Sequence, residues 1–224
     1  ANGVLTPVLV RGNDGDGYEM ISGHRRLHAS KLAGLKKIPA FVRELSDDEA
    51  TIVMVDSNIQ REELLPSEKA FALKMKLEAM RRQAGRPSKL GDNNSAQNER
   101  NLAEIDAQTD GADNSTQNER NLETAEIIGN EIGMSRAQVR RYIRLTELTS
   151  ELLELVDQGR IAFRPAVELS YLTEDEQRDL WETIDSEEVT PSLSQAIRMK
   201  ELSKEGNLDM DTIFAIMREE KANQ

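Results

Sequence analysis

The sequence predicts an α+β protein: a small mixed α/β domain over residues 1–84, then an all-α helix-turn-helix domain over 124–224. Three observations carry that expectation. Strand-like and helix-like patterns alternate through the first 90 residues. A polar stretch nearly free of large apolar side chains then runs from 85 to 123. From Thr124 onward apolar residues recur at helical spacing between good capping residues.

In the first domain Pro7–Arg11 (PVLVR) reads as a strand. The run Asn13-Asp14-Gly15-Asp16-Gly17 turns the chain back, so Tyr18–Ile21 is expected to pair with it as a hairpin. His24–Leu32 is helical and stops at Gly34, and Ile38–Val42 (IPAFV) is a third strand. Asp47–Ser57 opens with acids that suit the positive end of a helix. Ser67–Arg82 is a further helix. Residues 85–123 hold an imperfect repeat, NSAQNERNL at 94–102 and NSTQNERNL at 114–122. Two polar copies cannot build a stacked apolar core, so this segment reads as a weakly ordered linker. At the other end, Asn2-Gly3 resembles the close of a helix whose body is absent, as expected of a fragment.

The second domain is expected to be helical at 124–132, 135–146, 150–158, 165–172, 174–184, 192–204 and 210–220. Gly159 suits the position just after a helix, Pro165 a first helical position, and Thr173 followed by Glu174, Asp175 and Glu176 a helix start. The most informative stretch is 125–144, AEIIGNEIGMSRAQVRRYIR. Ile128 and Ile132 lie one turn apart, and Gly133 stands where a tight turn needs positive φ. Ser135 caps a second helix, with Gln138 completing a capping box. Val139, Tyr142 and Ile143 then face inward with Met134. Ser135, Arg136, Ala137, Gln138, Arg140, Arg141 and Arg144 are left for the outer side. That is the pattern of a helix-turn-helix whose second helix enters the DNA major groove, where arginines meet phosphates or guanine edges.

The chain carries a net charge of −12, which would oppose DNA were it evenly spread. It is not: residues 1–90 sum to +3 and 124–145 to +2, whereas 146–190 sum to −10. Screening over ~8 Å at physiological salt lets a local basic face act alone. Acidic surface elsewhere weakens non-specific attachment. With no cysteine, disulfides, thiolate metal sites and cysteine nucleophiles are excluded. No apolar run approaches the ~20 residues of a membrane helix, so a cytoplasmic location without membrane contact is expected.

Gly23-His24-Arg25-Arg26 joins a strand to a helix, where free N–H groups and adjacent guanidinium groups suit an anion such as a triphosphate. Val55–Leu64 (VDSNIQREEL) adds a polar cluster in which Asn58 could meet a hydrated Mg²⁺. An ordinary helix cap explains Asn58 equally well. His24 and His28 lie one turn apart, but no third ligand stands at a recognisable distance, so a zinc site is not predicted.

Taken together these segments resemble the ParB family of chromosome and plasmid partition proteins. Leu5-Thr6-Pro7-Val8-Leu9-Val10 comes first. Ser22-Gly23-His24-Arg25-Arg26-Leu27-His28-Ala29 is similar to the family's Gly-Glu-Arg-Arg box, and Asp56-Ser57-Asn58-Ile59-Gln60-Arg61-Glu62 to its Glu-Asn-Ile-Gln-Arg box. The helix-turn-helix follows, then Arg160–Leu172 (RIAFRPAVELSYL). The resemblance implies a dimer on a palindromic duplex site, a ParA-type ATPase partner, association with nucleoid or plasmid, and a DNA clamp gated by CTP with Mg²⁺. By position, Thr6, Gly23, His24, Arg25, Arg26, Ser57 and Asn58 would surround the nucleotide, with Asn58 near the metal. His24 and Ser57 stand where the family carries glutamates tied to hydrolysis, so CTPase activity is not assigned and no catalytic residue is named. Other functions on this scaffold are a transcriptional regulator of a mobile element without a nucleotide switch, and a sulfiredoxin-type, nuclease or kinase enzyme. The sulfiredoxin reading lacks its cysteine, and the nuclease reading lacks clustered acids.

Overall fold

A computed structural model of the protein describes residues 4–13, 15, 17–59, 64–83 and 116–218. The chain divides into two compact units: residues 1–63 with 75–88, and 64–74 with 89–224. The fold is α+β, a three-stranded sheet with helices followed by a helical region.

In the first unit β1 (Val8–Gly12) and β2 (Tyr18–Ser22) form the expected antiparallel hairpin. Strand β3 (Ala40–Arg43) pairs with β1 in parallel, giving the order β2-β1-β3. A parallel neighbour needs a crossover connection, and here β2 together with α1 (His24–Leu32) makes it. Alternation fixes which face is covered: Val8 and Val10 are buried, and the alternate Leu9 and Arg11 less so. All four residues of β3 are exposed, the apolar Phe41 and Val42 among them. Helix α2 (Asp47–Ile59) packs on β2 and buries Ala50 and Val55.

Helix α3 (Pro66–Gln83) contributes to both units. Its later part belongs to the first. Leu64–Lys74 belongs to the second, although the sequence reading assigned all of 1–84 to one domain. Ala70 sits in the helical core, and the Ser67 amide donates to Asp157 Oδ1 at 2.9 Å. The linker expected over 85–123 lies mostly outside the described residues, as does its first repeat copy. Helix α4 (Thr116–Ile132), however, begins inside it, so the second copy runs into a helix rather than a loop.

The remaining helices are α5 (Arg136–Arg144), α6 (Ser150–Asp157), α7 (Phe163–Leu169), α8 (Glu174–Glu187), α9 (Leu193–Glu205) and α10 (Met210–Arg218). They close on one apolar core that includes Leu145, Leu152, Leu169, Leu180, Met199 and Ile213. Thr173 caps α8 in a capping box with Glu176, and Gly159 follows α6 with φ 73°. Helix α7 starts two residues earlier than its proline implied. Pro165 falls third in the helix, still within the first turn, where an amide has no intrahelical acceptor. Among the described residues no helix is long and apolar enough to cross a membrane.

Candidate nucleic-acid interface and anion cradle

The turn between α4 and α5 is built by two glycines. Gly133 has φ 70°, a conformation that side chains with a Cβ rarely take. It lets the Met134 amide fold back onto the Gly129 carbonyl at 2.8 Å, closing α4 in a Schellman-type cap. Gly129 was not singled out in the sequence. A Cβ there would lie 2.5 Å from the Met134 carbonyl oxygen, so glycine is needed where the returning chain crosses the first helix. Its spacing from Gly133, IIGNEIG, was the available signal.

Beyond the turn, Ser135 is extended and caps α5: its hydroxyl accepts from the Gln138 amide, and the Gln138 side chain accepts from the Ser135 amide at 3.0 Å. Ile128 and Val139 are fully buried, Ile143 nearly so, and Tyr142 half-buried beside Phe163 with ring centroids 4.6 Å apart. Ser135, Arg136, Ala137 and Gln138 are exposed, forming a free leading edge, while Arg140 and Arg141 are half-buried. Arg144 points elsewhere, with its Nη2 donating to the Ser170 carbonyl at 2.6 Å. The helix was expected to run to 146 but ends at Arg144. Thr146 Oγ1 donates to the Ile143 carbonyl at 2.8 Å, and the chain tightens into a 3-10 turn over Leu145–Glu147.

Three contacts from α3 reach this region, none foreseen in the sequence. Lys69 Nζ lies 4.9 Å from the Tyr142 ring centroid. Lys74 Nζ reaches Thr146 Oγ1 and Glu147 Oε1, each at 3.2 Å. The third is Ser67 on Asp157. Surface-looking lysines in a polar helix gave no signal that they brace another element.

In the first unit, Gly23 caps α1 with φ 110°, and a Cβ there would meet Val8 Cγ1 at 2.7 Å. No side chain caps this helix start. Its early amides therefore lack a side-chain acceptor, and the exposed His24 and Arg25 lie beside them. Arg26 Nη1 donates to the Thr6 carbonyl at 2.8 Å and also to that of Pro7. Thr6, Gly23 and Arg26 are thus brought together, with Arg26 spending one donor nitrogen on the backbone. Ser57 and Asn58 stand on the last turn of α2, and the Ser57 hydroxyl donates to Met54 at 2.9 Å. Asp56 pairs with Lys76, which is shut away from water. Gln60, Arg61 and Glu62 of the third box lie outside the described residues. Among the described residues no group of three or more His, Asp or Glu is placed to hold a metal.

Fold and site define a helix-turn-helix protein with an appended α/β domain. Family models agree on both parts: the ParB N-terminal domain matches residues 1–59, and the ParB HTH domain matches 112–205. The chain belongs to the ParB family. It is 31% identical over 199 residues to the chromosome-partitioning protein Spo0J of Thermus thermophilus, covering 89% of this chain and 57% of that protein. The chain spans about half the length of the curated relatives it matches over most of its own extent. Among solved structures it is similar to C-terminally truncated ParB from Caulobacter crescentus complexed to the centromeric parS site. That match has TM-score 0.46 and 22% identity, over 96% of this chain and 83% of that one. The same protein complexed with CTP-γ-S matches with TM-score 0.27 and 25% identity, over 82% and 79%.

Proposed function

We propose that this chain is the DNA-reading part of a partition protein. It binds a palindromic duplex site as a homodimer, on nucleoid or plasmid DNA, with a ParA-type ATPase as partner. The observation that carries the reading is the capped α5 with its exposed leading edge, Ser135–Gln138, and arginines along the same helix. The leading end of such a helix enters the major groove, and its arginines supply both phosphate contacts and base readout. Arg140→Ala is expected to cost ~1–3 kcal/mol on the preferred duplex and nothing on a scrambled one, if that side chain reads a base. A uniform loss with a shallower salt slope would make it a phosphate contact.

The first unit is proposed to bind CTP with Mg²⁺. The side-chain-free cap of α1 and the exposed Arg25 fit a phosphate group, and Gly23 permits the turn that presents them. Thr6, His24, Arg26, Ser57 and Asn58 would complete the surround, with Asn58 offering an oxygen near the metal. Bound triphosphate would supply the negative charge that orders this cradle. His24 and Ser57 in place of carboxylates favour a second reading, a transcriptional regulator on the same scaffold without a nucleotide switch. Calorimetry with each nucleoside triphosphate and Mg²⁺ separates the two. Saturable, CTP-selective heat supports the clamp, and no heat supports the regulator.

A further inference from the structure

We propose that Arg144, although on the recognition helix, is a positioning residue that holds α5 against α7 and does not touch DNA. The inference rests on the DNA-reading role of α5. Arg144 Nη2 donates to the Ser170 carbonyl at 2.6 Å, and Nε donates to Ser170 Oγ at 3.2 Å. Ser170 follows the last residue of α7, so its carbonyl is among those that a helix end leaves without an intrahelical donor. A guanidinium at that end also meets the negative pole of the helix. Ser170 is 1% exposed, and its hydroxyl passes the chain of bonds on to the Val167 carbonyl at 2.7 Å.

The flat face of Arg144 is committed as well. Its Cζ lies 4.3 Å from the Tyr171 ring centroid. Lys200 Nζ lies 3.8 Å from the same centroid and pairs with Glu168 at 2.7 Å. At the opposite end of α7, Phe163 packs on Tyr142. Helix α5 is therefore fastened to both ends of α7, by an aromatic pair at one and by Arg144 at the other. Arg144 thus gives Nε and Nη2 to Ser170 and its flat face to Tyr171, which anchors the guanidinium on α7. Arg136, two turns earlier, stands at the exposed leading edge.

The test uses the full chain and two duplexes: one enriched by the unaltered protein from a random pool, and its scrambled counterpart. Arg144→Met and Tyr171→Leu are each expected to weaken the enriched duplex about tenfold. The salt slope stays at its original value, and the scrambled duplex binds as before. Amide hydrogen exchange over residues 139–144 accelerates in the free protein. Arg144→Lys, which keeps the charge but not the two-point bond, does not restore affinity. Arg136→Met, as a contrast, lowers the slope by about one. The proposal is overturned if Arg144→Met lowers the slope by about one on both duplexes while Tyr171→Leu changes nothing, or if lysine restores full affinity. Should the unaltered protein enrich no duplex, the DNA reading itself fails, and exchange alone decides the positioning role. Faster exchange in α5 then supports it, and unchanged exchange refutes it.

Discussion

Gly129 shows how much a single missing side chain accomplishes in this molecule. Its helix could accept alanine on propensity alone, with a gain of roughly 1 kcal/mol. The returning chain forbids it, because a Cβ would press on the Met134 backbone oxygen at 2.5 Å, and backbone cannot swing aside as a side-chain tip can. Gly129→Ala is expected to destabilise by ~1–3 kcal/mol, read from urea unfolding, and to weaken DNA binding by tilting α5. An unchanged midpoint would contradict the close-approach argument. Other residues of the turn were legible from sequence because their roles are local: Ser135 and Gln138 need only be three residues apart, and Gly133 need only end a helix. Gly129 answers to a contact across the turn, and Arg144 to one with Ser170, 26 residues on. Periodicity reports only that Arg144 is polar and on the outer stripe.

Helix α3 carries a similar lesson among the elements. Its existence and length were readable, and so was the hairpin, because each follows from spacing within one segment. Its allegiance was not, because Leu64–Lys74 packs with residues beyond the linker. Lys76 is the sharpest case: it is 1% exposed, and its partner Asp56 is 39% exposed. Asp56→Asn strips one charge from a pair whose ammonium is closed to water, and is expected to cost about 1 kcal/mol or more in urea unfolding. An unchanged midpoint would refute a structural role for this pair. At the far end of the chain, the Thr212 hydroxyl and then its amide hold the Asp209 carboxyl below its ordinary range. A lowered carboxyl stabilises the fold fully above its unfolded value, ~4, and loses that effect as pH falls through the folded value. Exchange in the first turn of α10 should accelerate on acidification below about pH 4. Asp209→Asn should abolish that pH step, and a step that persists would locate it in another group.

For the molecule as a whole, the balance of charge matters more than its sum. A chain at −12 binds DNA only if attraction is confined to a small face, which the acid-rich 146–190 stretch beside the α5 arginines permits. The α+β class and the helix-turn-helix were visible in the alternation of patterns and in the caps. The edge position of β3 was not, because an apolar run says nothing of which neighbours cover it. DNA reading by α5 is tested by nuclease footprinting of the full chain on DNA fragments enriched from a random pool at low ionic strength. A protected palindrome is expected that is lost on Arg136→Ala together with Arg140→Ala and fades steeply as salt is raised. No protected sequence at low salt, or protection that survives both substitutions, would contradict DNA reading by α5.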